Sequence, residues 1–370
     1  MGKKRILIFS TAYFPLIGGA EIAVKEITDR IEDCEFVMIA SKLDKKLPRE
    51  EKLHNLYIHR IGKGNNWDKF RLIFSGPKYA KSLGKFDIVW SIMASFGGFA
   101  GLRYKKQNKK VPFLLTLQEG DSKYHIYKRV WFIWPYFKQI FKMADRIQAI
   151  SKYLGDWACD MGSKVKVDII PNGVDLVNFT DESNSQYKKF SNHIEVITVS
   201  RLVKKNGIED LIKSMSYLDN NVHLTILGDG ELRDHLENVV KENNLRERVY
   251  FVGSINQKEV SNYLSKADIF CRPSLSEGLG NAFLEAMASG LPTIGTKVGG
   301  IPDFLVEGET GWFCEVFNPK SIAEKIKYII DEKNKEEVEK VKINAHKMVI
   351  EKYNWDLIAK NMNNIFKDLI

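Results

Sequence analysis

The sequence predicts two doubly wound α/β domains joined by a polar linker, and three observations carry that prediction. The chain has 370 residues, more than one hydrophobic core usually serves. Short apolar runs alternate with helical stretches in two successive series, the pattern of parallel sheets wrapped by helices. Between the two series, residues 179–193 (FTDESNSQYKKFSNH) are polar and nearly free of aliphatic side chains, as a linker is.

In the first series RILIFS, FVMIAS, DIVWSIM, PFLLTLQ, DRIQAIS and VDIIPN read as strands. They are rich in β-formers and end at small or polar residues. The opening MGKKRILIFSTAYFPLIGGAE has the basic-then-apolar order of a leader peptide. Its apolar run suits a buried first strand better, with FPLIGGAE as a loop entering a helix. No run of about 20 apolar residues suggests a spanning helix, and Ile6 occupies the place where a myristoylation signal needs Ser or Thr. In the second series EVITVSRL, HLTILGDG, RVYFVGS, DIFCRPS and PTIGTKVGG read as strands. They are separated by stretches such as IEDLIKSMSYL, where Ile208, Leu211, Ile212 and Met215 fall at helical spacing. From Ser321 onward the chain reads as helical, with Pro319 near its start. The expected boundaries are a first domain over 1–178, the linker, a second domain over 194–345, and a C-terminal helix over 346–370 packing back on the first domain. Ligands of such sheets bind at the carboxyl ends of strands, which directs attention to a cleft between the domains.

Composition is that of a globular protein, 44% hydrophobic and 28% charged. Cys34, Cys159, Cys271 and Cys314 are scattered, which argues against a disulfide framework or a zinc site and suits a reducing compartment. The seven histidines show no metal-ligand spacing, and no GxSxG or Walker A pattern occurs. Charge is uneven: residues 1–180 carry net +13 and residues 181–370 net −4. The basic half suits an anionic membrane surface, a phosphorylated acceptor or a nucleic acid, or simply a solvated lysine-rich surface. No nucleic-acid-binding motif accompanies the charge.

The segment SEGLGNAFLEAMASGLP, residues 276–292, carries the chemistry. Asn281 reads as the N-cap of a helix over about 282–289, with Gly290 as its C′ residue and Pro292 blocking continuation. Glu277 then lies in the loop and Glu285 in the first turns. The amides of Leu279, Gly280 and Asn281 would face a ligand at the helix N-terminus, where phosphate is favoured. Carboxylates beside a phosphate seat would bind hydroxyls, the combination a nucleotide sugar presents. A helix that merely carries acids near its positive end is the alternative.

This segment, extended through TIGTKVGGIPDFLVEGETGWF, resembles the donor-site signature of the retaining GT-B glycosyltransferases of family 4, the glycosyl transferases group 1. FPLIGGAE, ADRIQAIS, IIPNGVDLVNF, SRLVKKNGIEDLI, LTILGDGELRDHL, VYFVGSI and ADIFCRPS follow in family order over most of the chain. The resemblance implies two Rossmann-like domains facing each other across a cleft, the first binding acceptor and the second binding the nucleotide sugar. It implies that Glu285 holds the ribose hydroxyls, that Glu277 contacts the transferred sugar, and that the amides after Gly278 cradle the diphosphate. Arg201 would neutralise the leaving diphosphate. Gly18 and Gly19 would let the first domain's loop close over the phosphates, and Gly228 and Asp229 would lie near the nucleotide, although a plain βα turn also explains the last pair.

Two departures stand out. Asn206 occupies the place where the family has Lys, leaving Lys205 to reach the diphosphate from one residue away. Gln118 occupies the place of a His and cannot titrate, while Glu119 and Asp121 beside it are candidate acceptor-orienting acids. The resemblance implies same-face substitution through an oxocarbenium-like ion pair, without a cofactor. No Asp-x-Asp motif suggests a metal. The donor would be a nucleotide sugar such as GDP-mannose or a UDP-hexose. The acceptor would be a saccharide or lipid-linked acceptor (a lipid-linked saccharide, a phospholipid or a growing polysaccharide) in cell-surface polysaccharide or glycolipid synthesis. An inactive binding paralogue and a sugar-nucleotide epimerase are the competing functions. The expected location is cytoplasmic, or peripheral on the cytoplasmic face of a membrane. Tyr124, Tyr127, Trp131, Trp134, Phe137 and Phe141 fall on one helical face ringed by lysines, with a kink or restart at Pro135. That stripe suits either core packing or an interfacial helix.

Overall fold

The computed structural model describes residues 3–179 and 193–370; most of the expected linker lies outside the described residues. The chain divides into two compact units, residues 1–173 with 355–370, and residues 174–354.

The first unit begins with β1 (Lys4–Ser10), α1 (Gly19–Arg30), β2 (Cys34–Ser41), β3 (Glu50–Leu53), β4 (Leu56–Ile61), α2 (Asp68–Ser82) and β5 (Ile88–Ile92). It continues with α3 (Phe96–Gln107), β6 (Phe113–Leu117), α4 (Lys123–Val130), α5 (Trp134–Lys142), β7 (Arg146–Ala149), α6 (Lys152–Asp160) and β8 (Val167–Ile169). Its eight strands run in the order β3-β4-β2-β1-β5-β6-β7-β8. All neighbours are parallel except β3 and β4. β5 and β6 are fully buried, and β1 is from Ile6 onward, because helices cover both faces. Ile6 and Ile8 join a core with α1, while the Phe9 ring meets Tyr104 of α3.

The second unit contains α7 (Leu176–Phe179), β9 (Ile194–Val199), α8 (Ile208–Ser214), β10 (Val222–Leu227), α9 (Arg233–Glu242), β11 (Val249–Gly253) and α10 (Gln257–Leu264). It continues with β12 (Ile269–Arg272), α11 (Asn281–Ala288), β13 (Thr293–Thr296), β14 (Trp312–Cys314), α12 (Pro319–Ile330) and α13 (Lys335–Lys352). Its six strands are all parallel, in the order β11-β10-β9-β12-β13-β14. Strand order reverses between β9 and β12, the switch point at which doubly wound sheets bind ligands.

The last helix, α14 (Trp355–Leu369), packs on α1 and contributes Trp355, Ile358, Met362 and Phe366 to the first unit's core. The return to the first unit comes at Trp355 rather than at 346, because residues 346–352 continue α13 of the second unit. Gly173 permits the close passage: a Cβ there would lie 2.6 Å from the Trp355 ring.

Three strands escape the sequence reading. The β3–β4 hairpin turns at His54, whose φ is +51°. Asn55 pins the turn by donating to the carbonyls of Ile31 (2.7 Å) and Thr28 (3.2 Å). β14 has only three residues. The aromatic stripe is no single helix: α4 ends at Val130, residues 131–133 form a 3₁₀ turn, and α5 restarts with Pro135 in its first turn. Phe137 and Phe141 are core residues, whereas Tyr124 and Trp131 are exposed.

Candidate active site

At the switch point of the second sheet, two loops meet. The loop after β9 runs from Ser200 to Gly207, and the loop after β12 runs from Pro273 to Gly280. The Lys205 carbonyl accepts from the amides of Leu275 (2.6 Å) and Ser276 (3.3 Å). Gly207, at φ +67°, lies so close that a Cβ would fall 2.0 Å from the Pro273 carbonyl oxygen. Asn206 locks the first loop. It is 5% exposed and donates to the Arg201 carbonyl over 2.8 Å. The residue that departs from the family pattern is therefore a structural brace, and it holds Arg201 and Lys205 at the strand end. Arg201 is exposed, with no ion-pair partner among the described residues; Lys205 is half-buried.

The β12 loop is organised by a residue the sequence reading passed over. Arg272, the last residue of β12, is 6% exposed. Its guanidinium donates to Ser274 Oγ (3.2 Å), to the Val199 carbonyl (3.2 Å) and to the Glu277 carboxylate, and it lies 4.9 Å over the Phe283 ring. Glu277 is thus ion-paired at 16% side-chain exposure, and its Oε1 also accepts from the Gly278 amide at 3.1 Å. A buried charge ending an apolar strand was the available signal, since such a charge survives only with a partner. Gly299, at φ +55°, approaches from the loop after β13: a Cβ there would lie 1.8 Å from the Glu277 carbonyl oxygen.

Helix α11 opens differently from the sequence expectation. Its N-cap is Gly280, at φ +101°, and Asn281 is the first helical residue. Only glycine fits, because a Cβ would lie 2.9 Å from Phe283 and 3.3 Å from Arg272 Nη2 and Glu277 Cγ. No side chain caps the helix and no acid stands in its first turn, so the helix supplies no counter-charge of its own to its N-terminal amides. Gly278 and Leu279 are buried. The helix closes as expected, with Gly290 at φ +74° and bonds from Gly290 and Leu291 to the carbonyls of Met287 (3.1 Å) and Ala286 (3.0 Å). Glu285, half-buried in the middle of α11, has its carboxyl pushed up to about 7 by burial. The Arg272 guanidinium and a hydrogen bond from Gln257 pull the other way. One guanidinium therefore acts on both site acids.

Gly228 and Asp229 follow β10. Gly228 needs its φ of +124°, with a Cβ position 2.0 Å from the Ser200 carbonyl oxygen. Asp229 is exposed, accepts from the Gly230 amide at 2.7 Å, and its own carbonyl accepts from the Leu202 amide at 3.0 Å. The β10 loop thus braces the Arg201 loop from the side opposite β12.

In the first unit, Gly18 and Gly19 sit exposed at the start of α1, after β1 and beside that sheet's own reversal between β1 and β5. Gln118, Glu119 and Asp121 follow β6. Gln118 Oε1 accepts from Asn172 (3.3 Å). Glu119 is 9% exposed, accepts from the Ala94 amide, and has one carboxylate oxygen buried without a partner. Burial pushes its carboxyl up to about 7, against hydrogen bonds from backbone amides. Asp121 is half-buried.

Comparison with known proteins agrees with this architecture. Residues 17–178 match the family described as Glycosyltransferase Family 4, and residues 179–348 match Glycosyl transferases group 1. An uncharacterized glycosyltransferase of Methanocaldococcus jannaschii is 27% identical over 98% of both chains. Among solved structures, a sucrose-phosphate synthase from Thermosynechococcus elongatus superposes with a TM-score of 0.87 at 22% identity, covering 99% of each chain. The Anabaena protein HepE, solved with UDP and glucose, superposes with a TM-score of 0.82 at 16% identity over 99% of this chain and 100% of its own. These likenesses establish two Rossmann-like domains of the GT-B type.

Proposed function

We propose, from the premise that this chain belongs to the group 1, family 4 glycosyltransferases, that it transfers a hexosyl group from a nucleotide sugar with retention of configuration. The observation that carries this reading is the pair of interlocked loops at the second sheet's switch point. They place Arg201, which has no ion-pair partner among the described residues, a clamped Glu277 and an uncapped helix N-terminus on the same strand ends, with Glu285 one turn farther along α11. Arg201, Lys205 and the amides of Leu279, Gly280 and Asn281 bind the diphosphate, Glu285 holds the ribose, and Glu277 contacts the sugar.

In the transfer step the bond between the anomeric carbon and the phosphate oxygen breaks, and the acceptor oxygen bonds to the same face of that carbon. The departing phosphate oxygen takes the acceptor's proton. The protein positions the reactants and stabilises charge. Cationic side chains and amides replace a divalent metal. The acceptor is a saccharide or a lipid-linked acceptor, bound by the first unit's loop bearing Gln118, Glu119 and Asp121, and Gly18 and Gly19 leave the backbone after β1 open to a ligand. The UDP bound to the Anabaena neighbour supports a uridine nucleotide as the first donor to test, with GDP-mannose second.

Calorimetry against a panel of nucleotide sugars tests the donor site. Saturable binding of one donor is expected, weakened by Glu285→Ala and little changed by Glu277→Gln, which instead slows transfer. Wild-type kinetics in both variants would refute the assignment. Product that forms only with acceptor separates transfer from epimerisation, and binding without turnover would indicate an inactive paralogue. Full activity in chelator, without stimulation by Mn²⁺, is expected; loss of activity in chelator would refute metal independence.

A further inference from the structure

Trp67, the N-cap of α2, and Phe70 and Phe74 within the helix fall at spacings of three and four, on one face. The opposite face buries Leu72, Gly76 and Ala80 against the first sheet. The three rings are 72%, 48% and 54% exposed, an unusual outlay of aromatic surface. They continue onto neighbouring helices. Trp67 lies 5.6 Å from Phe70, and Phe70 meets Phe96 of α3 edge-on at 5.2 Å. Farther along α3, Phe99 stacks on Tyr136 of α5 at 5.4 Å. Just before α5, Trp131 and Phe132 are 73% and 66% exposed.

Cations lie on these rings. Arg103 sits 5.1 Å over Phe74, Lys106 4.8 Å over Tyr136 and Lys138 5.4 Å over Trp134. Residues 96–112 and 123–142 together hold ten Lys and Arg and no Asp or Glu. The one acid of α2, Asp68, is buried, where it accepts from the backbone amides of Lys63 and Gly64 and from Arg71. Apolar rings at the centre with ammonium and guanidinium heads above them are the chemistry of an interfacial surface. Of the six strongly exposed rings on α2 and the α4–α5 segment, Tyr124 at 77% included, three are Phe, which buries apolar area without a polar handle. That composition favours an acyl boundary over base recognition.

We infer that the outer face of α2, α3 and the α4–α5 turn docks the protein on an anionic lipid bilayer. Phosphate headgroups meet the lysines and arginines, and Trp67, Phe70, Phe74, Trp131 and Phe132 enter the headgroup–acyl boundary. No helix among the described residues is long and apolar enough to cross a membrane, so the attachment is peripheral. It places the basic half of the chain against the surface that would present a lipid-linked acceptor. The inference does not depend on the donor site, because lipid binding is read without substrate.

The test is sedimentation of the full chain with vesicles of phosphatidylcholine mixed with phosphatidylglycerol, against phosphatidylcholine alone. The protein is expected to pellet with the anionic vesicles and to stay in solution with the neutral ones, and added salt should weaken binding. The Trp67→Ser/Phe70→Ser/Phe74→Ser variant should lose at least about tenfold in partition while keeping the wild-type unfolding midpoint. Lys106→Glu/Lys138→Glu should lose binding with both α2 rings and fold intact. No pelleting at low salt would overturn the inference. So would equal binding to neutral vesicles, or an α2 variant that binds like wild type. Binding of a single-stranded oligonucleotide without vesicle binding would reassign the face to nucleic acid and overturn it equally.

Discussion

Glu285→Gln should make the protein more stable and a poorer donor binder, and the stability gain should depend on pH with a defined sign. The Glu285 carboxyl titrates near 7 in the folded chain against 4.5 for an ordinary glutamate. Below about pH 4.5 the group is protonated in both folded and unfolded chains and costs nothing. Between about 4.5 and 7 the unfolded chain ionises while the folded one holds its proton, so the cost of folding grows with pH. Above about 7 both are ionised and the cost is constant. At ~1.4 kcal/mol per pH unit, that interval corresponds to about 3 kcal/mol. Glutamine has nearly the same shape and never ionises, so it removes the penalty. For a unit of this size about 3 kcal/mol raises the thermal midpoint by roughly 5–10 °C. Calorimetric scans of wild type and variant at pH 8.5 and pH 5 should show that difference at the higher pH and only about a quarter of it at the lower, where the unfolded chain has begun to ionise. Donor titrations should show weaker binding in the variant. A gain of equal size at both pH values, or a loss at pH 8.5, would refute the claim that a desolvated carboxylate sits there. The expected pattern is a binding group kept at a cost in stability.

Two further substitutions probe the scaffold of the site. Arg272→Lys keeps the charge but loses the fork that reaches Ser274, Val199 and Glu277. It should lower kcat by about a hundredfold with a much smaller change in donor KM, and adding Glu277→Gln should cost little more, because both act through one carboxylate; additive losses would show that Arg272 acts elsewhere. Gly299→Ala forces a Cβ against the Glu277 carbonyl at φ +55° and should destabilise by more than about 1 kcal/mol and slow transfer, whereas wild-type unfolding and kinetics would mean the β13 loop does not set the Glu277 backbone.

Which parts of this were legible in the sequence follows from where each element sits. Strands buried on both faces read as unbroken apolar runs, so β1, β2, β5, β6, β9, β10, β12 and β13 were visible, and the edge strand β11 was visible from its own β-rich run VYFVG. β3 is an exposed, charged edge strand, EEKL, and charged edges are how sheets avoid pairing with other chains; the feature that protects the strand also hides it. The aromatic stripe stayed ambiguous for a related reason. Spacing alone cannot tell a ring packed under a helix from one standing off it, and the break at Trp131–Ile133 sends the two halves to different environments. The face of α2 passed unnoticed because its aromatics alternate with cations and look like an ordinary amphipathic helix.

The site divides in the same way. Glu277, Glu285 and the glycines around them were visible because loop and helix chemistry is local. The Asn281 cap was also a local inference, and it failed because tertiary crowding decided the position: with Arg272 and Glu277 against residue 280, only a glycine in the left-handed conformation fits, and the helix starts one residue earlier. Asn206 read as a lost lysine until its side chain was seen closing the Arg201 loop. Arg272 has no local mark of a role, since nothing in spacing shows that a guanidinium at the end of β12 reaches Glu277 and also acts on Glu285. Both acids are placed by sequence neighbours, but Arg272, which pulls the Glu285 carboxyl back down against burial, is itself paired with Glu277 across the loop. Neutralising Glu277 should then leave Arg272 free to hold Glu285 ionised at lower pH, so the pH dependence of donor binding should shift downward in Glu277→Gln. A profile unchanged from wild type would mean that the Glu277 pairing does not act on Glu285.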